Sequence, residues 1–347
     1  MYENFYHLSG KPFQLNPDPE FFYGSKGHSS AYSFLKYGVY QGEGFIVITG
    51  EIGAGKTTVL RALMEELDAQ RVVAAQLVST QLEADDLVRS VAVAFGLPVK
   101  GLDKAQLLAT LEALLASVAA QGKRALLVVD EAQNLAPRAM EELRMLSNFQ
   151  LGEHALLQSF LVGQPELRSI LRAPDLQQLR QRIIASYHLG PMDATETRGY
   201  IEHRLRHVGW RDDPAFDDRA FAAIHAETGG VPRRINQLCN RLLLSAFLGE
   251  KHDLTAADVE QIGAELRDEL GGAPLRAVEA GEDEAARPGA VNGVRHDNVI
   301  RPFAASAITA RLDRIEKTVN TMLELLRAQS ATPPERRGRA GRQGKGG

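Results

Sequence analysis

A short stretch of the sequence places glycines, a lysine and a threonine at a spacing that can bind phosphate. It matches the pattern G-x-x-x-x-G-K-[ST] without a mismatch, and its residues are Gly50, Glu51, Ile52, Gly53, Ala54, Gly55, Lys56, Thr57 and Thr58. Glycines let the backbone curl so that its N–H groups point at phosphate oxygens. The lysine would then reach the β- and γ-phosphates of ATP, while the Thr57 hydroxyl would hold Mg²⁺.

The segments on either side of this stretch have the pattern that a phosphate-binding loop requires. An apolar run at 45–48 predicts a buried strand before it, and apolar residues at helical spacing over 59–67 predict a helix after it. This strand–loop–helix context distinguishes a functional loop from an ordinary glycine turn. The start of the helix would add the positive end of its dipole beside the phosphate.

Polar residues end two further predicted strands. Asp130 and Glu131 follow an apolar run at 125–129, and Gln164 follows another at 156–162. An aspartate at the end of a buried strand suits the coordination of Mg²⁺, and the adjacent glutamate would orient or deprotonate the attacking water. The aspartate could instead cap the next segment. The glutamine could hydrogen-bond the γ-phosphate or the attacking water, or be a simple turn residue.

Two arginine sites complete the set of residues that could act on phosphate. Arg182 precedes a predicted strand at 183–189 and could project into the site of a neighbouring subunit, with Arg180 as the alternative. A solvated helix end is the other interpretation, because arginine favours the helix dipole there. Arg233 and Arg234 open a helix after a glycine turn, where positive charge opposes the dipole. A bound phosphate would explain that charge, and Arg233 is the better candidate.

The bulk properties are those of a soluble intracellular enzyme. The chain has 347 residues, 44% of them apolar, and a formal net charge of −4, which gives no global attraction to nucleic acid. Its single cysteine, Cys239, lies in a helical apolar run and is expected to fill a core. The N-terminus lacks the basic region of a signal peptide. No window approaches about 20 apolar residues, so no transmembrane segment and a cytoplasmic protein are expected.

The order of elements divides the chain into domains. Alternating apolar strands and helices over 45–191 predict an α/β domain whose parallel sheet is covered on both faces. Helices are expected within it over about 104–120 and 137–149. The segment 192–270 is predicted to be an all-helical lid of four helices, the first over about 194–207 after Asp193 as its N-cap. Residues 1–44 flank the nucleotide site, and their aromatic cluster at 21–23 could cap the edge of the next domain, form an adenine pocket, or do both.

Three further segments follow the lid. Residues 271–305 are rich in glycine, proline and acidic residues and predict a flexible linker. Residues 306–329 predict an amphipathic helix with an apolar seam of about two and a half heptads, which either forms a short coiled coil or docks on the lid. The basic tail, 330–347, is disordered by composition. It could contact anionic lipid or nucleic acid, or act only as a solubilising tail.

This succession of motifs resembles an AAA+ ATPase, and more closely the ATPases of the general secretion pathway protein A type. The closest resemblance within that group is to the ATPase associated with the exosortase (PEP-CTERM) system. The resemblance covers about residues 1–270. The residues that carry the closer resemblance are Lys11-Pro12-Phe13, Pro17-Asp18-Pro19, His28, Gly44-Phe45, Thr49-Gly50-Glu51, Asp130-Glu131-Ala132-Gln133-Asn134-Leu135 and Leu161-Val162-Gly163-Gln164-Pro165-Glu166-Leu167.

The resemblance implies a Mg²⁺-dependent ATPase that forms a homo-oligomer and works with protein partners of an export or exopolysaccharide machinery. It implies a position in the cytoplasm, with peripheral attachment to the inner membrane as an option. In such ATPases an arginine at the position of Arg182 acts on the γ-phosphate of the neighbouring subunit. A related branch serves transposition, so the alternative function is an ATP-gated oligomer that binds DNA. The rate of ATP hydrolysis, and the partner that stimulates it, would discriminate between these two functions.

Overall fold

The computed structural model of the protein describes residues 1–16, 18–78 and 82–270. The predicted linker at 271–305, the amphipathic helix at 306–329 and the basic tail at 330–347 lie outside these described residues. Contacts along the chain separate a compact unit at 1–280 from a second unit at 281–347. The fold below therefore concerns the first unit.

A five-stranded, all-parallel sheet forms the centre of this unit. Its strands are β1 (Phe45–Gly50), β2 (Val72–Val78), β3 (Arg124–Asp130), β6 (Leu157–Gly163) and β7 (Ile183–Leu189). They lie in the order β2-β3-β6-β1-β7. The strands are rich in β-branched and other apolar residues, and β1, β3 and β6 are buried almost throughout, as strands covered on both faces must be. A short hairpin, β4 (Gln150–Leu151) and β5 (His154–Ala155), precedes β6.

Alternate residues of the central strands point to opposite faces and enter two separate cores. Ile46 and Val128 pack under one pair of helices, whereas Val47 and Leu127 pack under the helices of the other face. The predicted α/β fold with a covered parallel sheet is therefore confirmed. The helices of the first face are α2 (Lys26–Gln41) and α3 (Lys56–Glu66); those of the second are α4 (Ala84–Ala94), α5 (Lys104–Ala120), α6 (Pro137–Leu146), α7 (Glu166–Leu171) and α8 (Gln177–Arg180).

A helical lid follows the sheet and has its own apolar core. Capping boxes and side-chain caps begin several of its helices, as Asp193 does for the first. The helices are α9 (Ala194–His207), α10 (Asp218–Thr228), α11 (Pro232–Leu248) and α12 (Ala256–Leu270). The lid departs from the all-helical prediction at one point, because β8 (Ala215–Phe216) pairs with β9 (Asp253–Leu254). Two-residue strands are too short to produce a periodic signal.

The first 44 residues contribute to the core of the lid and to the core on the first face of the sheet. Four buried aromatic side chains, Tyr2, Tyr6, Phe13 and Phe21, belong to the apolar core of the lid, and Tyr2–Phe5 forms a short helix, α1. From Lys26 onward, α2 packs on the sheet. The segment thus crosses from the lid to the nucleotide domain, and its chain passes beside the phosphate loop.

A buried arginine fixes this crossing segment to the lid. The guanidinium of Arg204 donates from Nε to the Pro12 carbonyl at 2.6 Å and from one Nη to the Tyr200 hydroxyl at 2.9 Å. It also lies 4.7 Å from the centroid of the Phe21 ring, a cation–π distance. Because a buried guanidinium needs partners for its donors, these contacts fix Pro12 and Phe21 against the lid.

Candidate nucleotide-binding site

The phosphate loop lies between the end of β1 and the start of α3, as the sequence predicts. Gly53 and Gly55 take φ values of +80° and +96°, a region that residues with a Cβ rarely adopt. α3 begins at Lys56, so the N–H groups of its first turn have no acceptor within the helix. The loop therefore presents unpaired donors and a positive dipole end, which suits an anion.

Lys56 spans this loop from inside. Its side chain is buried, with 6% exposure, and its ammonium donates to the carbonyls of Gly50 at 2.7 Å and Glu51 at 2.9 Å. Burial lowers the pKa of Lys56, an effect opposed by the nearby carboxylates of Glu131 and Asp130. A buried ammonium held by two carbonyls is suited to exchange them for phosphate oxygens.

Thr57 and Asp130 come together at the carboxyl ends of strands β1 and β3. The Thr57 hydroxyl donates to Asp130 Oδ2 at 3.3 Å, and the backbone N–H of Glu131 donates to Asp130 Oδ1 at 3.0 Å. Burial raises the pKa of Asp130. Hydroxyl and carboxylate oxygens are the donors that Mg²⁺ prefers, so the two residues fit the ion.

The part of the chain that the structure describes contains no group of three His, Cys, Asp or Glu side chains able to hold a metal. Mg²⁺ commonly takes one or two protein ligands and completes its shell with phosphate oxygens and water. The Thr57–Asp130 pair meets that requirement only together with a nucleotide.

Two amides hold the carboxylate of Glu131. Gln133 Nε2 donates to Glu131 Oε2 at 2.6 Å, and Gln164 Nε2 donates to the same oxygen at 3.2 Å. The backbone N–H of Gln164 in turn donates to Gln133 Oε1 at 3.0 Å. Glu131 itself has φ +53°, in the left-handed region. The end of β6 and the residues after β3 thus form one network around the carboxylate.

Gln133 is a member of this network that sequence reasoning did not assign. The sequence offers only an indirect signal, the glycine at position 163, where a Cβ would lie 2.6 Å from Gln133 Oε1. A side chain at that strand position would push the amide away. Gln164, by contrast, lies at the strand end where the sequence predicts it, within hydrogen-bond distance of Glu131.

The outer side of the phosphate loop is covered by two other elements. The backbone N–H of Arg233, in the first turn of α11, donates to the Gly53 carbonyl at 3.1 Å. His28 of α2 lies with Nε2 3.0 Å from the Ala54 carbonyl. Of the two predicted arginines of α11, Arg233 therefore adjoins the loop, whereas Arg234 lines a cavity of about 430 Å³ in the lid.

Arg182 lies at the opposite end of the sheet from the loop. Phe45 at the start of β1 pairs with Ile183 at the start of β7, whereas the phosphate loop follows the end of β1. Since β1 is six residues long, the two ends are roughly 16 Å apart at about 3.3 Å per residue. The structure thus brings Arg182 to the domain edge and away from the site of its own chain.

Both candidate arginines have partners within the chain. Arg182 donates to the carbonyl and the hydroxyl of Ser147, each at 2.9 Å, at the C-terminal end of α6 where a cation favours the dipole. Arg180 donates to the Leu171 carbonyl at 3.1 Å. An action on a neighbouring subunit stays a prediction for either residue.

Comparisons with known proteins agree with this geometry. A family model described as an AAA domain matches residues 39–171. General secretion pathway protein A of Aeromonas hydrophila is 40% identical over 274 residues, which are 78% of this chain and 50% of that protein. The chain thus spans about half the length of this relative. Within the described residues, no helix has both the length and the apolar character needed to span a bilayer.

Solved structures show the same fold at low identity. Cdc6p of Pyrobaculum aerophilum gives a TM-score of 0.57 at 18% identity, covering 77% of this chain and 75% of that chain. The Aeropyrum pernix ORC1 protein in complex with DNA gives 0.54 at 18% identity, covering 74% and 69%. The chain thus matches an AAA domain over residues 39–171, is similar to general secretion pathway protein A over 274 residues, and shares its fold with these solved structures.

Proposed function

We propose that the protein binds ATP with Mg²⁺ and hydrolyses it. The observation that carries this proposal is the meeting of Lys56, the Thr57–Asp130 pair and Glu131 at the ends of β1 and β3, with Gln164 at the end of β6 between them. Such an arrangement supplies a cation for phosphate, oxygen ligands for a divalent ion and a base for water. Bound Mg²⁺ would neutralise charge on the β- and γ-phosphate oxygens.

Each residue of the site has a distinct role in this proposal. Lys56 binds the β- and γ-phosphates, and the loop amides bind the phosphate oxygens around it. Glu131 accepts a proton from the attacking water, and the amides of Gln133 and Gln164 fix its carboxylate for that task. One carboxylate oxygen, Oε2, accepts both amides, which leaves Oε1 for the water. Arg233 contacts the phosphates from the lid.

The biological setting that we propose is protein or polymer export. The relative at 40% identity is named for the general secretion pathway, which supports a role in energising or switching an export assembly. Within that class we favour exopolysaccharide export and PEP-CTERM protein sorting, on the motif resemblance described above. ATP turnover would act through a homo-oligomer and its protein partners, in the cytoplasm or at the inner membrane surface.

The alternative function is an ATP-gated oligomer that binds DNA. It rests on the run of arginines and lysine at 336–345, since basic segments bind the phosphate backbone without sequence preference. In that case DNA would stimulate turnover, with a steep dependence on salt. Stimulation by an export partner and indifference to DNA would favour the first function.

The direct test is phosphate release by the wild-type protein with Mg²⁺, compared with Lys56→Ala. Removing Lys56 deletes the positive charge over the phosphates, so calorimetry should detect no ATP binding by the variant and turnover should be lost. Lys123→Ala, at a half-buried position just before β3, is a matched control that should behave as wild type. Unaltered ATP binding by Lys56→Ala would contradict the assignment of the phosphate loop.

A further inference from the structure

A buried histidine adjoins the phosphate loop and contacts one of its carbonyls. His28, in the first turn of α2, has 5% exposure. Its Nε2 lies 3.0 Å from the Ala54 carbonyl oxygen, and its Nδ1 lies 2.7 Å from Ser25 Oγ. Both ring nitrogens therefore have a partner, and one partner belongs to the loop that binds phosphate.

The partners determine the tautomer of the ring. Burial lowers the pKa of His28, so the imidazole is neutral near pH 7 and carries one proton. A carbonyl oxygen can only accept, so the proton must be on Nε2. Nδ1 then accepts from the Ser25 hydroxyl. Ser25 also accepts from the backbone N–H of His28 at 3.3 Å, which fixes the hydroxyl in place.

The contact with Ala54 controls the direction of the next N–H group. In a trans peptide the C=O and the following N–H point in opposite directions. A donor that holds the Ala54 carbonyl toward α2 therefore turns the N–H of Gly55 toward the interior of the loop. Gly55 also has to be a glycine here, because a Cβ would lie 2.5 Å from His28 Nε2.

Hydrogen bonds to the lid hold both the helix that carries His28 and the loop that it contacts. The backbone N–H of Lys26 donates to Glu196 Oε1 of the lid at 2.8 Å, so the first turn of α2 is tied to the start of α9. The preceding carbonyl of the loop, that of Gly53, is held by the N–H of Arg233. Two consecutive carbonyls are thus held outward by donors from separate elements.

We propose that His28 is a positioning residue for nucleotide binding: its Nε2–H holds the Ala54 carbonyl outward and so aims the Gly55 N–H at the phosphates. The inference rests on the proposed binding of ATP. It adds a residue from outside the phosphate loop, far from it in sequence. Its action is through the loop backbone, without contact to the nucleotide.

The first test is nitrogen-15 NMR of the histidine side chains in the full-length protein. The His28 ring should give the signature of a neutral Nε2–H tautomer at pH 7, with and without ADP and Mg²⁺. The His28→Gln spectrum, which lacks these signals, assigns them. A ring with its proton on Nδ1 would overturn the proposal without any binding measurement, because Nε2 would then have no hydrogen to donate.

The second test compares ADP affinity by calorimetry in two variants. His28→Met fills similar space without a donor and should weaken ADP binding about tenfold, the scale of one lost hydrogen bond to a loop that binds charge. His28→Gln keeps a donor near the position of Nε2 and should recover most of the affinity. His154→Met, at an exposed position of β5, is the matched control and should bind as wild type.

The outcomes separate this proposal from the proposed function. Wild-type affinity in His28→Met, or equal weakening in His28→Met and His28→Gln, would overturn the role of the hydrogen bond. Absence of ADP and ATP binding by the wild-type protein would instead contradict the function itself. If His28→Met does not fold, Ser25→Ala takes its place: it removes the hydroxyl that holds Nδ1 and should weaken ADP binding by a smaller factor, and unchanged binding would count against the proposal.

Discussion

At the scale of single residues, the site depends on how one carboxylate is held. Glu131 is in the left-handed backbone region, which a residue with a Cβ keeps only where the surrounding structure holds it. Gln133 and Gln164 supply such contacts, since both amides donate to the same carboxylate oxygen, Oε2. Because Gln133 also accepts from the backbone N–H of Gln164, loss of its amide would loosen both arms of the network.

We therefore expect Gln133→Leu to lower turnover with little change in ATP affinity. A loss of about tenfold in turnover is the scale of one hydrogen bond that positions a base. Steady-state phosphate release and calorimetry measure the two quantities. Gln178→Leu, at an exposed position of α8, controls for a general effect of the substitution. Equal turnover in Gln133→Leu and wild type would mean that Gln164 alone orients the carboxylate.

The sequence predicts those residues of the site that belong to a local sequence pattern. It does not predict the roles of residues that are defined only by a contact with a residue far along the chain. The loop from Gly50 to Thr58 is recognised because its chemistry lies in consecutive residues. Asp130 and Gln164 are recognised because polar residues end apolar strands. His28 meets Ala54 across 26 positions and Gln133 meets Gln164 across 31, and no spacing rule relates such pairs. Only the folded chain shows that they touch.

At the scale of elements, the lid and the sheet are linked by the N-terminal segment. Tyr2, Tyr6 and Phe13 belong to the lid core, and α2 then packs on the sheet. The sequence predicts helices such as Lys104–Ala120 and Ala194–His207 at their observed bounds, because apolar periodicity and capping residues agree there. It gives α6 three residues too many, since Ser147 to Phe149 continue the helical pattern but form turns that lead into the β4–β5 hairpin.

The described elements before residue 271 form three large apolar cores, which leads to a prediction about the residues beyond them. Truncation after Leu270 should leave ATP binding intact, because both sheet cores and the lid core lie before that point. The predicted apolar seam at 306–329 would be lost, so the oligomeric mass should fall. Burial of each seam side chain can contribute about 1.5–3 kcal/mol, offset by the cost of ordering.

Light scattering of the truncated and full-length proteins at equal concentration measures that mass. A point change gives a finer test: Ile315→Asp places a charge in the predicted seam, whereas Thr321→Asp places one outside it. The first should lower the mass and the second should not. An unchanged mass in both Ile315→Asp and the truncated chain would favour a helix that docks on its own lid or on another protein.

At the scale of the whole molecule, the sequence predicts that Arg182 acts on the site of a second subunit. It lies at the end of the sheet opposite the phosphate loop, roughly 16 Å away by the strand geometry, and so cannot reach the γ-phosphate bound by its own chain. In the present arrangement its guanidinium is held by Ser147. Action on a neighbour would require it to exchange that partner for phosphate.

We expect Arg182→Ala to retain ATP binding and lose turnover, by up to about 10³–10⁵-fold where such an arginine stabilises the transition state. Mixing it with Lys56→Ala should restore part of the activity, since one variant keeps a sound phosphate loop and the other keeps Arg182. Arg172→Ala, an exposed arginine after α7, is a suitable control. Full turnover in Arg182→Ala would transfer the role to Arg180 or remove it.

The claim that this site hydrolyses ATP is tested most directly by Glu131→Gln. The amide keeps the shape of the side chain but cannot take a proton from water. ATP should therefore stay bound at wild-type affinity while turnover falls by roughly 10²–10⁴-fold. Glu153→Gln, in the exposed turn of the β4–β5 hairpin, should leave both unchanged. Bound ATP is followed by calorimetry and phosphate release by a coupled assay; wild-type turnover in Glu131→Gln would contradict the assignment of the base and of the site.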